Sequence, residues 1–451
     1  MTDSEAALAQ SLAESLAKSL ERLARLHPKK IDLGLERIER VLDAMGNPHR
    51  ELGRTVHVAG TNGKGSTVAY LKAFAEAEGW SVNAYTSPHL VRFNERIAVH
   101  GKPIGDGALV EALEAVERGN GDAPLSFFEA TTVAMFHAFA DAPADLTIIE
   151  VGLGGRFDAT NVVDGDVCVV TPVDRDHAEF LGTDLAGIAR EKAGILKAGS
   201  RAVIGPQSDM VANVLQGEAA RAGVASTKVW GQDFRAYAQG GRMVYEEAGA
   251  LLDLPAPALH GDHQVPNAGT AVAAARELGL SEAAIAAGLR EVRWPARMQP
   301  LTEGPFAEMV AESGGELWLD GGHNPHAARA LAGFMGARET VQPRPLVLVM
   351  GILANKDAGA FLDAFEGLAS GLVALDIPGH ASLNTATLAE LAENRGIVTT
   401  VAANLTDAMQ RAVNMGEALS REHPDQPIIP PRVLICGSLY LAGEVLAQGG
   451  M

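Results

Sequence analysis

A glycine-rich segment, residues 60–67, constrains the fold of this chain more than any other feature of the sequence. It follows a β-branched run at 55–59, and a helical pattern opens behind it at 68–75. This order is typical of a phosphate-binding loop, because glycines let backbone N–H groups turn inward and a helix N-terminus adds positive potential. We predict that Lys64 reaches the outer phosphates of a nucleotide and that Ser66 or Thr67 offers an oxygen to Mg²⁺. The residues of this glycine loop are Gly60, Thr61, Asn62, Gly63, Lys64, Gly65, Ser66 and Thr67.

The spacing inside the glycine loop departs from the usual G-x-x-x-x-G-K-[ST] pattern. Only two residues separate Gly60 from Gly63, and Gly65 stands between Lys64 and Ser66. A tight strand-to-helix turn without any phosphate would carry the same letters. The choice between these two interpretations depends on the rest of the chain.

The acidic composition excludes some classes of partner. The chain has 451 residues, of which 47% are hydrophobic and 21% are charged, as expected of a soluble globular protein with two or three domains. Its formal net charge of −19 argues against a nucleic acid or an anionic membrane surface as the main partner. An anionic small-molecule substrate stays compatible with this charge, because an acidic protein can still hold local cationic pockets.

The two cysteines, Cys168 and Cys436, each lie in a β-rich run and are predicted to be buried strand residues. This count excludes a disulfide framework and indicates a cytoplasmic protein. No apolar run approaches the length of a transmembrane helix, and the N-terminal residues lack the apolar core of a secretory signal.

Apolar runs alternate with helical patterns along most of the chain, which predicts an α/β protein with a mainly parallel sheet. Residues 31–298 are predicted to form a central domain of the P-loop NTPase type, with a small β insertion or hairpin at 229–259. Residues 299–451 are predicted to form a smaller C-terminal α/β domain, Rossmann-like in outline. This domain has no G-x-G-x-x-G after its first strand, so we do not interpret it as a dinucleotide site.

Residues 1–30 are predicted to form an N-terminal helical extension. Leucines recur there at the spacing of an amphipathic helix. A packing arm or a partly frayed extension is the favoured interpretation, ahead of a helix that binds a partner. The leucines are Leu8, Leu12, Leu16, Leu20 and Leu23.

Polar side chains follow several predicted strands at the point where each strand ends, which is where open α/β sheets bind ligands. Glu150, with Ser66 and Ser87, offers the oxygen ligands that Mg²⁺ prefers, and His177 also fits Mn²⁺. Glu150 could instead be a surface carboxylate. His177 could instead be a loop imidazole bonded to a neighbouring aspartate.

Several motifs in one order resemble the folylpolyglutamate synthase and dihydrofolate synthase family of the Mur-ligase superfamily. Each motif is weak alone, but the ordered set is specific and covers residues 31 to about 445. The motifs are Gly60 to Ser66, Thr86 to His89, Glu150 to Asn161, Asp176-His177 with Leu181-Gly182, Glu191 to Ile195, His263-Gln264 with Asn267-Ala268, Trp294 to Gln299, Asp320 to Pro325, and Gly437 to Tyr440.

The resemblance implies an ATP-dependent ligase that joins L-glutamate to dihydropteroate, to the glutamate tail of reduced folates, or to both. The substrate carboxylate would take the γ-phosphoryl group of ATP to form an acyl phosphate, with release of ADP and then phosphate. The resemblance also implies one or two Mg²⁺ ions, a carbamylated Lys192, a monomer, and small-molecule partners without nucleic acid or membrane. From the residues alone, Lys192 reads as an ordinary helix lysine.

Residue roles follow from the same resemblance. Lys64, Lys192 and His323 would be catalytic, and Asn267, Arg297 and Asp320 would contact ATP beside the glycine loop. The metal ligands would be Ser66, Ser87, Glu150 and His177. The substrate residues would be Ser87, Pro88, His89, Arg96, Phe128, His323 and Ser438. Departures from the family pattern are Ala296 for glycine, Gly322 for alanine, and Asn355 for aspartate, which leaves the role of Asn355 open.

Two other interpretations stay open from the sequence. A Mur-type cell-wall enzyme would join an amino acid to a nucleotide-linked substrate, and a P-loop binding protein would have no ligase activity. The segments at 87–89 and 191–195 favour the folate-type ligase over the first. Asp320 and His323 count against the second, because a simple nucleotide switch would not need them.

Overall fold

The computed structural model describes residues 3–25, 34–421 and 428–449, apart from the side chains of residues 3–10 and 24. Its contacts divide the chain into two units. Unit 1 comprises Met1–Ala258 and Val265–Val292, and unit 2 comprises Leu259–Gln264 and Arg293–Met451.

The elements before residue 293 alternate strands with helices. The helices are α1 (Asp3–Ala24), α2 (Glu36–Ala44), α3 (Lys64–Ala77), α4 (Asp106–Asn120), α5 (Phe127–Asp141), α6 (Ala178–Leu181), α7 (Leu185–Lys192), α8 (Asp209–Ala222), α9 (Gln264–Leu278) and α10 (Glu282–Glu291). The strands are β1 (Arg54–Ala59), β2 (Val82–Tyr85), β3 (Ile97–Val99), β4 (Lys102–Pro103), β5 (Leu146–Glu150), β6 (Val167–Val170), β7 (Arg201–Ile204), β8 (Ser226–Val229), β9 (Phe234–Gln239), β10 (Arg242–Glu247) and β11 (Ala250–Pro255).

The main sheet of unit 1 has the strand order β4-β3-β2-β5-β1-β6-β7-β8. Its strands from β2 to β8 in this order run parallel, and β3 and β4 add an antiparallel edge. The central strands β1, β5 and β6 are buried along nearly their whole length, as is typical of a parallel sheet with helices on both faces. The mainly parallel sheet that the sequence predicts is confirmed. Since the strands are parallel, the glycine loop after β1 shares one edge with the residues that follow β2, β5 and β6.

The insertion after β8 is a separate antiparallel sheet of β9, β10 and β11, one strand more than the hairpin that the sequence also allowed. An ion-pair cluster joins it to the rest of unit 1. Lys228 Nζ lies 2.9 Å from a carboxylate oxygen of Glu247 on β10 and 2.9 Å from one of Glu277 on α9.

The N-terminal helix α1 packs on α4. Leu16 and Leu23 are buried in the same apolar cluster as residues of α4 and α5. Arg22 Nε donates to a carboxylate oxygen of Glu117 on α4 at 3.0 Å. These contacts favour a packing arm. The side chain of Leu8 and residues 26–30 of the predicted extension lie outside the described residues.

Unit 2 contains a second α/β layer. Its strands are β12 (Gln299–Pro300), β13 (Glu316–Leu319), β14 (Leu346–Met350), β15 (Gly371–Ala374), β16 (Val398–Val401) and β17 (Arg432–Cys436). Its helices are α11 (Pro305–Glu312), α12 (Pro325–Val341), α13 (Ala358–Leu362), α14 (Thr385–Glu393), α15 (Leu405–Ser420) and α16 (Leu439–Gln448). The strand order is β12-β13-β17-β14-β15-β16, parallel except for β12. Loops after β13 and β17 therefore meet at one edge.

Both cysteines are buried in strands and are free, as the sequence predicts. Cys168 lies on β6 of unit 1 and Cys436 on β17 of unit 2. Burial raises the pKa of the Cys168 thiol to about 12, so this side chain behaves as a small apolar residue.

A fully buried arginine at the start of β17 is the main polar anchor of unit 2. Arg432 is only 1% exposed, and its guanidinium donates to Glu316 Oε2 at 3.2 Å and to Glu339 Oε2 at 3.3 Å. A third N–H of Arg432 donates to the carbonyl of Gln342 at 3.1 Å. The guanidinium thus ties β13, α12 and β17 together.

We expect Arg432→Ala to lower the free energy of unfolding by about 3 kcal/mol, because it empties a buried volume, removes the ion pair with Glu339 and removes one of three arginines that pair with Glu316. Thermal and urea unfolding followed by circular dichroism would measure the loss. Arg421→Ala is the matched control, since the Arg421 side chain is exposed and pairs with Glu417 at the surface. A loss for Arg432→Ala no larger than that of the control would contradict the anchoring role.

Candidate active site

Two glycines of the glycine loop have no room for a side chain. Gly60 has φ +148°, and a Cβ there would lie 1.8 Å from Thr171 Oγ1. Gly63 has φ +85° and directly precedes α3, and a Cβ there would lie 2.5 Å from Asn267 Oδ1. The loop therefore keeps its backbone exposed at a helix N-terminus, which is the cradle that an anionic phosphate group fits. Asn267 on α9 lies beside this cradle.

Lys64 is the first residue of α3, and its ammonium group lies back over the glycine loop. Lys64 Nζ donates to the carbonyls of Gly60 at 3.2 Å and Thr61 at 3.3 Å. It also lies 3.9 Å from Glu150 Oε1, at the end of β5. The loop itself is anchored, since Thr61 Oγ1 donates to the carbonyl of Asp174 at 2.9 Å. A cation and a buried carboxylate therefore stand together at the mouth of the cradle.

The proposed metal ligands have the donor chemistry of a magnesium site. Glu150 is 5% exposed, and its Oε2 accepts the backbone N–H of Ser87 at 3.3 Å. Ser66 is buried in the first turn of α3. His177 adopts φ +53° just before α6, where its backbone N–H donates to Asp176 Oδ1 at 2.8 Å. Within the described ranges, no three His, Cys, Asp or Glu side chains form a ready-made metal cluster. Hydroxyls and one carboxylate fit Mg²⁺, which keeps several water ligands.

Lys192 is the last residue of α7. It is buried, whereas the residues alone indicated an ordinary helix lysine. It is 5% exposed, and its Nζ donates to the carbonyl of Gly60 at 2.9 Å. Burial lowers the pKa of Lys192 to about 7, and the charge of Lys64 lowers it further in the same direction. A substantial fraction of this amine is therefore neutral near pH 7. The structure brings Lys64, Lys192 and Glu150 to the same loop.

The residues proposed for the pterin-bearing substrate lie along two segments of unit 1. Arg96 Nε donates to His89 Nδ1 at 2.9 Å, and burial, followed by the charge of Arg96, lowers the pKa of His89 to about 4. His89 is therefore neutral near pH 7. Phe128 packs beside Tyr85 at the end of β2, with ring centroids 6.3 Å apart. A Cβ on Gly152 would lie 2.4 Å from Phe128 Cζ, so Phe128 forms a wall beside the loop after β5.

The carboxylate next to Phe128 is structural. The oxygens of Glu129 accept from Arg37 Nε at 3.1 Å and from the N–H of Ser126 at 2.7 Å. Ser126 and Glu129 form a capping box at the start of α5.

Sequence reasoning gave no role to Asp158, a buried carboxylate after β5. Its Oδ2 accepts the N–H of Leu153 at 2.8 Å, and its Oδ1 accepts the N–H of Thr160 at 3.0 Å and the Thr160 hydroxyl at 2.6 Å. Burial raises the pKa of Asp158. An aspartate that begins a helical turn is a recognisable capping signal. That signal alone does not show that the carboxylate holds the loop between Glu150 and Lys192.

In unit 2, the proposed site residues lie on the loops that follow β13 and β17. Asp320 Oδ2 accepts the N–H of Met298 at 2.8 Å, and its Oδ1 accepts the N–H of Gly322 at 2.7 Å. His323 Nδ1 lies 3.2 Å from the carbonyl of Gly321. Ser438 directly precedes α16 as its N-cap residue, and its hydroxyl accepts the N–H of Tyr440 at 3.1 Å. The two loops are joined by a hydrogen bond from the N–H of Gly437 to the carbonyl of Gly322 at 3.0 Å.

Two departures from the family pattern have a structural explanation. Ala296 has φ +53°, a conformation that glycine adopts without strain, so alanine is tolerated there at a modest cost. Gly322 packs closely against Asp320, since a Cβ there would lie 2.9 Å from Asp320 Oδ1. Arg297 lies on the same segment, and its guanidinium donates to the carbonyl of Ala296 at 2.9 Å.

Comparisons with known proteins agree with this geometry. The model of the Mur ligase middle domain matches residues 58–275, and that of the Mur ligase, glutamate ligase domain matches residues 307–426. A dihydrofolate synthase/folylpolyglutamate synthase of Escherichia coli is 34% identical over 443 residues, which cover 96% of this chain and 95% of the relative. Among the described residues, no helix is long and apolar enough to cross a membrane.

Solved structures of similar proteins contain the ligands that such a site would take. E. coli FolC in complex with DHPP and ADP has a TM-score of 0.84 and 33% identity, covering 96% of this chain and 97% of that one. A bifunctional folylpolyglutamate synthase/dihydrofolate synthase with Mn, AMPPNP and L-glutamate bound has a TM-score of 0.81 and 31% identity, covering 96% and 97%.

Proposed function

This chain belongs to the folylpolyglutamate synthase/dihydrofolate synthase family of Mur ligases, and we propose that it joins L-glutamate to dihydropteroate, to the glutamate tail of reduced folates, or to both, at the expense of ATP. The observation that carries the proposal is the convergence of Lys64, Glu150 and Lys192 on the glycine loop. This arrangement suits the transfer of a phosphoryl group rather than simple nucleotide storage, since both lysines lie beside the loop that would hold the phosphates.

The reaction begins with activation of a carboxylate, which is a poor acyl donor. A carboxylate oxygen of the pteroate or folate substrate attacks the γ-phosphorus of ATP, so ADP leaves and an acyl phosphate forms. The amine of L-glutamate then attacks the acyl carbon, loses a proton and expels phosphate, which leaves the amide. Lys64 and the N-terminus of α3 neutralise the charge that develops on the transferred group. The remaining task of the protein is to hold the reactants in line.

We assign Ser66, Ser87, Glu150 and His177 to the divalent metal, on the basis of their donor atoms and their place at one sheet edge. When bound, Mg²⁺ neutralises the phosphate oxygens of ATP. Thr67 Oγ1 is buried without a hydrogen-bond partner in the described structure, so the first turn of α3 still offers a second hydroxyl to a ligand.

We propose that Lys192 is carbamylated. The neutral amine attacks CO₂, forms an N–C bond and loses one proton, so a cation becomes an anion that can support a second metal ion. Complete burial and a pKa of about 7 make the neutral amine available for this step. The contact of Lys192 Nζ with Gly60 at 2.9 Å places the new anion beside the cradle.

We assign the remaining residues by the same resemblance. Asn267, Arg297 and Asp320 contact ATP, and Asn267 lies next to Gly63 in support of this role. Ser87, Pro88, His89, Arg96 and Phe128 form the site of the pterin-bearing substrate. His323 and Ser438 bind the incoming glutamate. We further propose that the protein acts as a cytoplasmic monomer, which its two free, buried cysteines support with respect to compartment.

Paired assays of glutamate-dependent ADP release test the function. We expect release with dihydropteroate, with a reduced folate, or with both, and product analysis by mass spectrometry should show one added glutamate residue. Release with neither pteroate substrate, but with a nucleotide-linked muramoyl substrate, would show a cell-wall ligase instead. ATP binding without release on any carboxylate would indicate a non-ligase nucleotide-binding protein.

A further inference from the structure

Three buried polar side chains form a hydrogen-bonded series in the core of unit 1, here called the polar chain, which has no part in the chemistry above. It runs from His57 on β1 through Thr160 to Asp158, and all three are at most 1% exposed. His57 lies between Val56 and Val58, and in the sheet it pairs with Ile149 on β5 and Cys168 on β6. A polar group in such an apolar place is costly unless it is hydrogen-bonded. The position of His57 therefore calls for an explanation.

The direction of the hydrogen bonds in the polar chain follows from the ionisation state of Asp158. Burial raises the pKa of Asp158, whereas the N–H groups of Leu153 and Thr160, which donate to its two oxygens, favour the ionised carboxylate that we assign here. The Thr160 hydroxyl, 2.6 Å from Asp158 Oδ1, must then donate to it. The Thr160 oxygen is left as an acceptor for His57 Nε2 at 2.9 Å, so the imidazole carries its proton on Nε2.

The imidazole of His57 is neutral and has one unused atom. Burial lowers the pKa of His57 to about 3, and the charge of Lys197 acts in the same direction. Nδ1 carries no proton in this tautomer, and it is buried without a hydrogen-bond partner in the described structure. His57 thus makes one directed hydrogen bond, from Nε2 to Thr160, at the cost of an unsatisfied acceptor. An apolar side chain would avoid that cost, so packing alone gives no reason for histidine here.

At its other end the polar chain holds, through Asp158, the loop that leads from Glu150 toward Lys192, two proposed active-site residues. This loop begins directly after Glu150, and its Leu153 N–H is bound by Asp158. It continues to Arg156, whose N–H donates to the carbonyl of Glu191 at 2.8 Å, next to Lys192. Gly155 packs on the same backbone, since a Cβ there would lie 2.7 Å from the Glu191 carbonyl oxygen. The position of Asp158 therefore sets the path from Glu150 to the backbone of Lys192.

We propose that His57 is a positioning residue for the ligase reaction, which fixes the Thr160 hydroxyl and, through it, Asp158 and the loop from Glu150 to Lys192. The role rests on the proposed function of that site. His57 transfers no proton and touches no substrate. It supplies one N–H that orients the Thr160 hydroxyl toward Asp158 Oδ1.

The activity test compares His57→Leu, which removes the N–H donor, with His57→Gln, whose amide nitrogen can replace Nε2. We expect kcat of His57→Leu to fall by about 10- to 100-fold with the KM for ATP changed less than about two-fold, and His57→Gln to recover most of the loss. Val56→Ala is the matched control, because it removes buried apolar volume from the same strand without touching the polar chain. An equal loss of kcat in His57→Leu and Val56→Ala, or a failure of His57→Gln to recover, would reduce His57 to a packing residue.

A second pair of variants covers the case in which His57→Leu does not fold. Thr160→Ser keeps the hydroxyl and should keep kcat, whereas Thr160→Val has the same shape and should lose about as much kcat as His57→Leu. Wild-type kcat in Thr160→Val would overturn the proposal. These comparisons use whichever carboxylate substrate the wild-type protein turns over, so a wild type that does not use folates would disprove the proposed function and not the role of His57.

Nitrogen-15 spectra of the histidine side chains give a readout that is independent of activity. We expect His57 to show a protonated Nε2 and an unprotonated Nδ1, unchanged between about pH 5 and about pH 9, and to shift in Thr160→Val. The opposite tautomer, or titration within this range, would contradict the hydrogen-bond direction on which the proposal depends.

Discussion

Replacement of Lys64 by alanine is expected to abolish ADP formation, with kcat lowered by at least about 10³-fold. The ammonium group stands over the glycine loop, within 3.3 Å of the Gly60 and Thr61 carbonyls and 3.9 Å from Glu150 Oε1. Without this ammonium group, the repulsion between the transferred phosphoryl group and the Glu150 carboxylate is less well neutralised. Initial rates of ADP release at saturating ATP and glutamate would measure the loss.

The fold should survive this change. The Lys64 side chain is 17% exposed, and its hydrogen bonds go to loop carbonyls rather than to the core. Lys72→Ala is the control, since Lys72 lies on the same helix but pairs with Glu76 at the surface. Lys64→Arg should recover little, because a planar guanidinium does not replace a compact ammonium in a tight loop. Turnover in Lys64→Ala close to that of Lys72→Ala would disprove the phosphate role of the glycine loop.

The glycine loop could be predicted because its parts are neighbours in the sequence. A strand, a turn with two crowded glycines and a helix N-terminus follow one another within residues 54–77, so local chemistry decides their arrangement. Strand ends such as Glu150 could also be anticipated, since parallel strands present their carboxyl ends at one edge. The mainly parallel sheet and the second α/β layer could be predicted from the alternation of apolar runs with helical patterns, because this alternation indicates the type of each element.

Contacts between distant parts of the chain could not be predicted in this way. Lys192 has the letters of a helix lysine, and only the packing of α7 brings its Nζ to the carbonyl of Gly60. Glu129 directly follows the predicted substrate residue Phe128, and only the structure shows that Arg37 on α2 binds its carboxylate. Residue type and spacing carry no information on which distant group a side chain meets, and that meeting decides charge and role.

His57, which lies in the predicted strand run at 55–59, and Asp158, to which the sequence gave no role, show the same limit. The hydrogen bond between His57 and Thr160 joins two residues that are 103 positions apart in the sequence. Neither residue alone indicates a polar chain. The tautomer of the buried imidazole follows only from the partners that Thr160 and Asp158 have in the fold.

Lys192→Ala is expected to be inactive and to be partly rescued by a short-chain carboxylate such as acetate. The variant removes both the amine that would react with CO₂ and the anion that would result, and it leaves a space beside Gly60 that a small carboxylate fits. We expect a loss of at least about 10²-fold in kcat and a recovery that saturates with acetate concentration. Lys197→Ala is the control, since the Lys197 ammonium is held by the carbonyls of Asn161 and Val163 instead.

The pH dependence of labelling with ¹³C-enriched CO₂ separates a carbamate from a lysine that acts as a simple cation. Only the neutral amine reacts, and the pKa of Lys192 is about 7, so labelling at constant CO₂ should fall as the pH is lowered through about 7. The ¹³C signal should be present in Lys197→Ala and absent from Lys192→Ala. An unchanged rate in Lys192→Ala, or an inactive variant that acetate does not rescue while the wild type shows no label, would remove the carbamate. In the second case activity would depend on Lys192 as an ammonium group, and the pH optimum would lie below the pKa of Lys192 rather than above it.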